Sequence, residues 1–391
     1  MIVRQFIQWL RTASAGDRAD ATSALARAYL HSNLSPDDRA AAEGALLMLL
    51  DDPSPLVRGA LADVFAASQA APPAVVHALA ADQLQIASQV LERSPLLVDA
   101  DLVDQVATGS AGVQAAIARR EQLPCAVAAA IAEVGAAQAC LVLIENQTAD
   151  IAPFSLDRIV ERHGHLAAIR EALLDRSDLP APTRQALVAK LSSTLAEFVA
   201  ARAWLEDDHA RRVAKEACER ATVTLAAQVA QGEVRPLIRH LCGSGQLTAG
   251  LVLRALLCGN IRLFEEALAE LSGLALARVS AIIHDRGGGS FRALYQRARL
   301  PASLYPAFRE VVEAMRASGF VGDVGGATRL KRRMIERVLT RCAEEQLGDI
   351  EPLMMLLRRF ATEAAREEAR LFCDEIAGEA VTPPERALAA A

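Results

Sequence analysis

The chain has 391 residues, of which 52% are hydrophobic and 23% are charged, and its formal net charge at pH 7 is −6. This length exceeds one ordinary compact core and suits two or three domains, and the apolar content excludes a disordered chain. The negative net charge disfavours bulk binding to nucleic acid, while a local basic patch stays open.

The composition predicts helices throughout the chain. Ala and Leu supply most of the apolar residues, and only 4% of the residues are aromatic. Both Ala and Leu are strong helix formers. Runs in which Val, Ile, Thr and Tyr alternate with polar residues, as strands require, are missing from the sequence. We therefore predict an all-α fold.

Cysteine usage and the N-terminal sequence bear on the cellular compartment. The seven cysteines are dispersed, and none forms a Cys-x-x-Cys pair. We expect them to be free thiols in a reducing environment. Residues 1–11 lack the long apolar core and the small-residue cleavage site of a secretory signal. The expected location is therefore the cytoplasm.

Residues 1–34 are predicted to form an N-terminal helical cap, and short repeats follow in residues 35–191. Ser35-Pro36-Asp37-Asp38 is a typical helix start, with Ser as the N-cap and Pro in the first turn. Five second helices of the repeats carry equivalent apolar residues, spaced 27, 25, 29 and 27 positions apart: Leu79, Val106, Ile131, Val160 and Leu187. A near-constant period in this range is typical of stacked helical hairpins.

One inter-helix turn carries a local resemblance. Residues 51–58, Asp-Asp-Pro-Ser-Pro-Leu-Val-Arg, resemble the turn of HEAT-type repeats, in which an Asp precedes a Val-Arg pair. In such repeats the Asp caps the next helix and the Arg bonds a neighbouring turn. The later units keep the apolar spacing but lose the pair, and they are shorter than a usual unit of roughly 40 residues. The predicted architecture is a HEAT-like α-solenoid followed by a second α-helical region.

Four further stretches complete the predicted organisation of the chain. Leu123–Ile144 is apolar over most of its length, but Pro124 opens it and Gly135 falls where the repeat predicts a turn. We therefore expect buried repeat helices there rather than a membrane span. Residues 192–232 are predicted as connecting helices, either one long helix or two joined near residue 207. Residues 233–380 are predicted as a C-terminal helical domain and residues 381–391 as a flexible tail.

Five segments of the C-terminal region carry a wider resemblance. They are Leu256–Asn260, Phe264–Ala267, Leu276–Val279, Ile283–Asp285 and Phe291–Leu294. Together with the repeats, this order resembles a bacterial family known as domain of unknown function 2336, from residue 35 to about residue 341. The resemblance implies a helical, HEAT-like and cytoplasmic protein. The family carries no established activity, so the resemblance assigns no functional residues.

A Gly-rich loop is the first candidate site. It contains Arg286, Gly287, Gly288, Gly289 and Ser290, with Ser290 as the expected N-cap of the following helix. Free backbone N–H groups at a helix start attract anions, and glycine lets a ligand approach the backbone. A small anionic ligand is one interpretation. The loop lacks the Lys-Ser/Thr pair of a P-loop and follows a helix rather than a strand, so a nucleotide-binding fold is not supported. The alternative, which we favour, is a tight turn whose glycines adopt positive φ.

A basic helix is the second candidate site. Arg329, Arg333, Arg337 and Arg341 follow an i, i+4 stripe, which could contact an acidic partner, anionic lipid or nucleic-acid phosphate. The alternative is a solvated face whose cations pair with nearby acids such as Glu344, Glu345 and Asp349. Because the net charge is negative and aromatic residues are scarce, the solvated face is favoured over a nucleic-acid contact.

Patterns for catalysis and metal binding are missing. His163 and His165 fall at a predicted turn, His209 follows two aspartates, and His240 and Cys242 diverge on a helix. None has the partner spacing of a metal site. The sequence also lacks a Gly-x-Ser-x-Gly elbow and a converging acid pair. We therefore expect no catalytic residue, no metal and no cofactor.

Three functional hypotheses follow. The first is a non-enzymatic helical scaffold or adaptor that binds a protein or peptide, with self-association left open. The second is a HEAT-like protein that binds nucleic acid through basic helix surfaces, with repeat arginines available at positions 58, 93, 119, 120, 158, 162 and 170. The third and weakest is a small anionic ligand at the Gly-rich loop. The sequence favours the scaffold, because helical-repeat proteins mostly present binding surfaces.

Overall fold

The protein is all-helical. The structure, a computed structural model, describes residues 9, 12–285, 289–318, 332–344 and 351–379. The described part of the chain forms 21 α-helices and no β-strand, which confirms the predicted fold class. The chain divides into two compact units, Met1–Leu179 and Pro180–Ala391.

The described residues of the first unit form eleven helices. They are α1 (Ala15–His31), α2 (Pro36–Leu49), α3 (Pro55–Phe65), α4 (Pro73–Ala80), α5 (Leu84–Arg93), α6 (Asp99–Thr108), α7 (Ala111–Ala118), α8 (Cys125–Val134), α9 (Ala137–Glu145), α10 (Pro153–His163) and α11 (Ala167–Asp175). Many begin with Pro in the first turn or with a Ser N-cap. Ser35 caps α2 as predicted, and its hydroxyl accepts a hydrogen bond from the Asp38 N–H.

The eleven helices pack in two rows. In one row α1, α3, α5, α7, α9 and α11 each contact the next member, and in the other α2 contacts α4, α6 contacts α8 and α8 contacts α10. The apolar residues Leu79, Val106, Ile131 and Val160 are buried on α4, α6, α8 and α10, whereas Leu187 lies in the second unit. Two-row stacking is typical of helical repeats, and the assignment to a HEAT-like type stays a prediction.

Polar side chains join successive helices of one row at their C-terminal ends. The Arg120 guanidinium donates to the Leu91 and Ser94 carbonyls, at 2.5 and 2.7 Å. One repeat later, the Asn146 amide donates to the Ala118 and Arg120 carbonyls, at 2.9 and 2.7 Å. The last carbonyls of a helix lack partners within the helix. Each repeat therefore supplies donors to the end of the preceding one.

Arg176 continues this ladder of cross-repeat bonds. It is 4% exposed and donates to the Ile144 carbonyl at 3.0 Å. Its Nε and Nη2 also bond the two carboxylate oxygens of Asp178, at 2.9 and 2.7 Å. This bidentate pair fixes the guanidinium against the buried helix end.

The predicted HEAT-like turn at residues 51–58 forms similar cross-repeat bonds. Arg58 makes a bidentate pair with Asp82 at 2.6 and 3.1 Å, in the turn of the next repeat. Asp52 accepts the Ser54 N–H at 2.8 Å and pairs with Arg18 at 2.8 and 2.9 Å. The Asp52 carboxylate thus bonds within its own turn and does not cap α3, which has no side-chain cap, whereas the arginine bonds a neighbouring turn as the resemblance implies.

The Arg18–Asp52 pair predicts an acid-sensitive contribution to stability. The Arg18 hydrogen bond lowers the pKa of the Asp52 carboxyl. A folded-state pKa below the unfolded value stabilises the fold above that unfolded value, near 3.9, and the stabilisation is lost as pH falls through the folded pKa. We expect Asp52→Asn to lower stability at pH 7 by about 1–2 kcal/mol. The variant should also lose less stability than wild type between pH 5 and pH 2.5 in thermal unfolding by circular dichroism.

The control for this prediction is the exposed Asp63 on α3. We expect Asp63→Asn to keep the wild-type acid dependence. An identical acid dependence in wild type and Asp52→Asn would remove the role given to the pair.

The described residues of the second unit form ten α-helices. They are α12 (Ala181–Ala201), α13 (Asp207–Gln228), α14 (Val234–Gly243), α15 (Ala249–Leu257), α16 (Ile261–Ser272), α17 (Leu276–His284), α18 (Gly289–Arg297), α19 (Tyr305–Ser318), α20 (Arg332–Glu344) and α21 (Glu351–Glu379). The stretch predicted as one or two connecting helices is two, because α13 begins at Asp207. The predicted segments 35–191, 192–232 and 233–380 stay predictions, and the tail 381–391 lies outside the described residues.

The core of the second unit is built around α15, α16, α18 and α19. Four buried aromatic rings meet there, with Phe264 stacked on Phe308 at 6.0 Å between centroids and Tyr295 at 5.3 Å from Phe308. Phe291 lies 6.3 Å from Tyr295. Four of the thirteen Phe and Tyr residues of the chain thus lie in one cluster. Burial of their large apolar area stabilises the core of the second unit.

Candidate partner-binding surface

The α12–α13 hairpin ends in a defined turn. The Trp204 N–H bonds the Val199 carbonyl at 3.2 Å and the Ala203 N–H bonds the Ala200 carbonyl at 2.9 Å. Ala203 has a φ of 54°. These are the two hydrogen bonds and the left-handed residue of a Schellman motif, in which an apolar contact usually joins the residue after the turn to the last helical turn. Here that contact is between Trp204 and Phe198.

The contact leaves both aromatic rings at the surface. The Phe198 and Trp204 rings meet edge to face at 5.9 Å, yet Phe198 is 46% and Trp204 63% exposed. The Arg202 guanidinium lies 4.3 Å from the Phe198 ring centroid and 5.5 Å from that of Trp204. Such cation–π contacts hold the arginine over the rings. We call Leu195, Phe198, Arg202, Trp204 and Leu205 the hairpin tip.

An apolar stripe on α12 leads to the hairpin tip. Leu191, Leu195 and Phe198 are spaced i, i+4 and i+7, so they share one helix face, and all three are exposed. Leu205, beyond the turn, is also exposed. Helix faces of this spacing pack on other helices when they are buried. The sequence signal was this stripe next to a tryptophan, and it was overlooked because a densely charged segment follows at residues 206–220.

Most of the seven arginines that the sequence offered for nucleic-acid binding already bond to groups within the first unit. Arg58 pairs with Asp82, Arg158 pairs with Glu133, and Arg120 bonds carbonyl groups. Arg162 and Arg170 also bond backbone carbonyls. Arg93 and Arg119 are exposed. Over residues 1–179 the sequence has 13 Lys and Arg against 22 Asp and Glu, whereas residues 180–391 have 29 against 26. The first unit is therefore acidic.

The predicted Gly-rich site lies partly outside the described residues. This applies to Arg286, Gly287 and Gly288. Gly289 and Ser290 are exposed and form the first turn of α18, which begins one residue before the expected cap. Ligand binding at this loop stays a prediction.

The predicted basic stripe is only partly described. Arg329 and the side chain of Arg333 lie outside the described residues, while Arg337 and Arg341 are exposed on α20. Arg341 lies 3.9 Å from a Glu310 carboxylate oxygen. A partner-binding role for the stripe stays a prediction.

Acids on two helices pair with the neighbouring cation Arg332. It bonds Glu336 at 2.7 Å on its own helix and Glu368 at 3.3 Å on α21. These hydrogen bonds raise the pKa of Arg332, with that of Glu336 the largest cause. The observed partners thus differ from Glu344, Glu345 and Asp349, of whose side chains the structure describes none.

A buried ion pair was missed by the sequence analysis. Arg254 on α15 is 2% exposed, and its Nη1 donates to both Glu363 oxygens at 2.7 and 2.6 Å. Its guanidinium carbon lies 4.4 Å from the centroid of the Phe360 ring. Glu363, on α21, also faces Arg220 at 3.3 Å. The available signal was a single arginine within the apolar run Leu251–Leu257.

His163, Cys140 and Cys258 are packed within the fold, where they contact backbone or apolar groups. His163 Nε2 lies 3.3 Å from the Gly135 carbonyl oxygen, and burial is the main cause of its lowered pKa. Burial raises the pKa of the Cys140 thiol to about 11 and that of Cys258 to about 12, which keeps both thiols protonated at neutral pH. Within the described ranges, no three His, Cys, Asp or Glu side chains are placed to hold a metal ion.

The family of the chain can now be stated. Residues 86–348 match the model of the family described as an uncharacterised protein conserved in bacteria, domain of unknown function 2336. The chain belongs to this family. The match confirms the resemblance drawn from the sequence. No curated protein and no solved structure matches the chain.

The part matched by the domain of unknown function 2336 runs from α5 into the segment after α20. It includes the hairpin tip, the Gly-rich loop and the basic stripe. Glu363 and the rest of α21 lie beyond it. The tip therefore belongs to the family region, whereas the carboxylate that neutralises Arg254 comes from outside that region.

None of the described helices is by itself both long and apolar enough to cross a membrane. Taken together, the two helices Ile261–Ser272 and Leu276–His284 have the length and apolar composition of a membrane span, but the chain bends by 120° between them. Leu123–Ile144 is divided at Gly135 between α8 and α9, as predicted.

Proposed function

We propose that the chain is a non-enzymatic helical scaffold that binds a protein partner, and that the hairpin tip is a contact surface. The observation that carries the proposal is the exposed Phe198–Trp204 pair beneath Arg202. Aromatic and arginine side chains are enriched at protein interfaces and supply many of their strongest contacts.

The exposed area at the tip is large enough to matter energetically. Covering the exposed part of Trp204 removes on the order of 100–150 Å² from water. At 25 cal/mol per Å² this corresponds to about 3 kcal/mol, part of which offsets the entropy lost on association. The Schellman turn holds the two rings in place before binding, so little further ordering is required.

The stripe geometry favours an amphipathic helix as the element that binds. Leu191, Leu195 and Phe198 offer an i, i+4, i+7 ridge, and apolar ridges of this kind pack into the grooves of a second helix. A nucleic-acid partner has less support, because most repeat arginines are already bonded and the first unit carries more acids than bases. Phosphate binding needs free Lys and Arg side chains.

The double substitution Phe198→Ser/Trp204→Ser tests the proposal. The tagged protein is incubated with a lysate of the native host, and captured proteins are quantified by mass spectrometry. We expect a partner that is enriched by wild type and reduced at least tenfold by the double variant, because the apolar contact area is lost. Both residues are exposed, so helical circular dichroism should be unchanged.

Two control variants test whether loss of capture is specific to the apolar surface of the hairpin tip. Phe154→Ser removes a ring of similar exposure, 64%, from the first unit and should leave capture intact. Phe198→Leu/Trp204→Phe keeps the tip apolar and should retain most of it. The proposal fails if the double serine variant captures the same partners as wild type. Robust hydrolase or transferase activity of the purified protein would contradict its non-enzymatic part.

A further inference from the structure

A cleft of 310 Å³ lies within the second unit, between the hairpin helices and the turn from α14 to α15. We call it the hairpin cleft. Its walls include Ala189, Ala214, Lys215, Cys218, Leu241 and Leu251. The lining residues of α13 recur at i, i+3, i+4 and i+7 from Arg211, so one whole face of this helix borders the cleft. Clefts of this volume are typical of small-molecule sites.

The inner part of the cleft is apolar with a polar end. Leu241 and Leu251 are fully buried behind it. The Thr248 hydroxyl donates a hydrogen bond to one carboxylate oxygen of Glu219, at 3.1 Å. The amide of Gln185, itself 0% exposed, donates to the Gln246 oxygen at 2.6 Å.

The Gln185 side chain lies behind the lining residues of the cleft. Within the described part of the chain, its amide oxygen is buried and makes no hydrogen bond. The two groups that its amide nitrogen contacts, Gln246 and Cys218, both line the cleft. Buried polar atoms without a partner are rare in folded proteins.

Cations line the cleft toward the start of α13. Arg211 and Lys215 are one turn apart. Arg211 pairs with Asp207 at 2.6 Å, whereas Lys215 forms no ion pair within the described ranges of the chain. The Lys215 ammonium is exposed and can donate three hydrogen bonds. An anionic group at this position would be neutralised while its apolar remainder contacts the alanine and leucine walls.

We propose that the hairpin cleft binds a small carboxylate amphiphile, such as a medium-chain fatty acid, with its carboxylate on Lys215. A volume of 310 Å³ corresponds to about ten water-sized groups, which suits a chain of about ten carbon atoms. A nucleotide fits poorly, because most of the wall is apolar. A cationic amphiphile would place like charges together. The site does not depend on partner binding at the hairpin tip.

Calorimetric titration of the full chain with sodium decanoate tests the site. Lys215→Glu reverses the charge that holds the carboxylate, so we expect the Kd to rise at least tenfold. Arg212→Glu makes the same charge change on an exposed residue of α13 outside the cleft, and we expect less than a twofold change. The proposal is overturned if wild type does not bind decanoate, or if both substitutions weaken binding equally.

Thiol labelling gives an independent measure of where the ligand lies. Decanoate should slow maleimide labelling of Cys218, which lines the cleft, at least fivefold, and leave the exposed Cys373 unaffected. Ala214→Phe fills the cleft from an α13 position and should abolish decanoate binding without loss of helix content. Decyltrimethylammonium should not protect Cys218. Equal protection by this cation, or none by decanoate, rules out the carboxylate site.

Discussion

Replacing Glu363 by alanine is expected to destabilise the second unit by about 3 kcal/mol. The substitution removes the carboxylate that neutralises Arg254, whose side chain is 2% exposed. An uncompensated buried charge costs about 3–5 kcal/mol, and we take the lower end because Glu363 retains some contact with water. In a unit of this size the loss corresponds to a fall of roughly 6–12 °C in Tm, measurable by scanning calorimetry.

Substitution of the other partner of the ion pair tests the same explanation. Arg254→Met should cost less than Glu363→Ala, because Glu363 is more exposed and still faces Arg220. The double variant Arg254→Met/Glu363→Leu should recover most of the stability, since apolar residues replace a buried pair at little cost. Glu368→Ala removes an exposed acid from the same helix and serves as the control. If it lowers Tm as much as Glu363→Ala does, the buried-charge explanation is wrong.

Replacing Arg176 by alanine is expected to cost the first unit about 3 kcal/mol. The change orphans the buried Ile144 carbonyl, removes the bidentate bond to Asp178 and deletes the packed aliphatic stem. A buried acceptor without a donor costs about 1–3 kcal/mol, and the lost charged hydrogen bonds add to it. Thermal unfolding followed by circular dichroism measures the effect.

Two substitutions test whether the hydrogen-bond geometry of Arg176, and not its positive charge alone, stabilises the first unit. Arg176→Lys keeps the charge but not the planar fork, so we expect it to lose at least half as much stability as Arg176→Ala. Arg93→Ala removes an exposed arginine and should change stability by less than about 0.5 kcal/mol. Full stability of Arg176→Lys would mean that the fork geometry contributes nothing.

The helices were predictable where their signals are local. The expected helix start at Ser35 agrees with the N-cap of α2, and the expected turn at Gly135 separates α8 from α9. Apolar periodicity, a Ser N-cap and a proline in the first turn act within one or two helical turns, so they can be read from adjacent residues.

The candidate surfaces were less predictable. Charge runs and glycines stand out in a sequence, which is why the loop at residues 286–290 and the stripe on α20 were selected. The Phe198–Trp204 contact depends on Ala203 adopting a left-handed conformation, which glycine usually provides. No propensity argument assigns that conformation to an alanine.

By itself, the sequence determined the all-α class, the short helical period of the first unit and the family to which the chain belongs, because composition and local spacing encode them. Tertiary structure decided which polar groups meet. Arg254 and Glu363 are 109 positions apart, and Arg332 finds Glu368 on another helix. Such pairings depend on how helices pack, and local spacing does not specify them. The hairpin tip and the hairpin cleft became visible only through that packing.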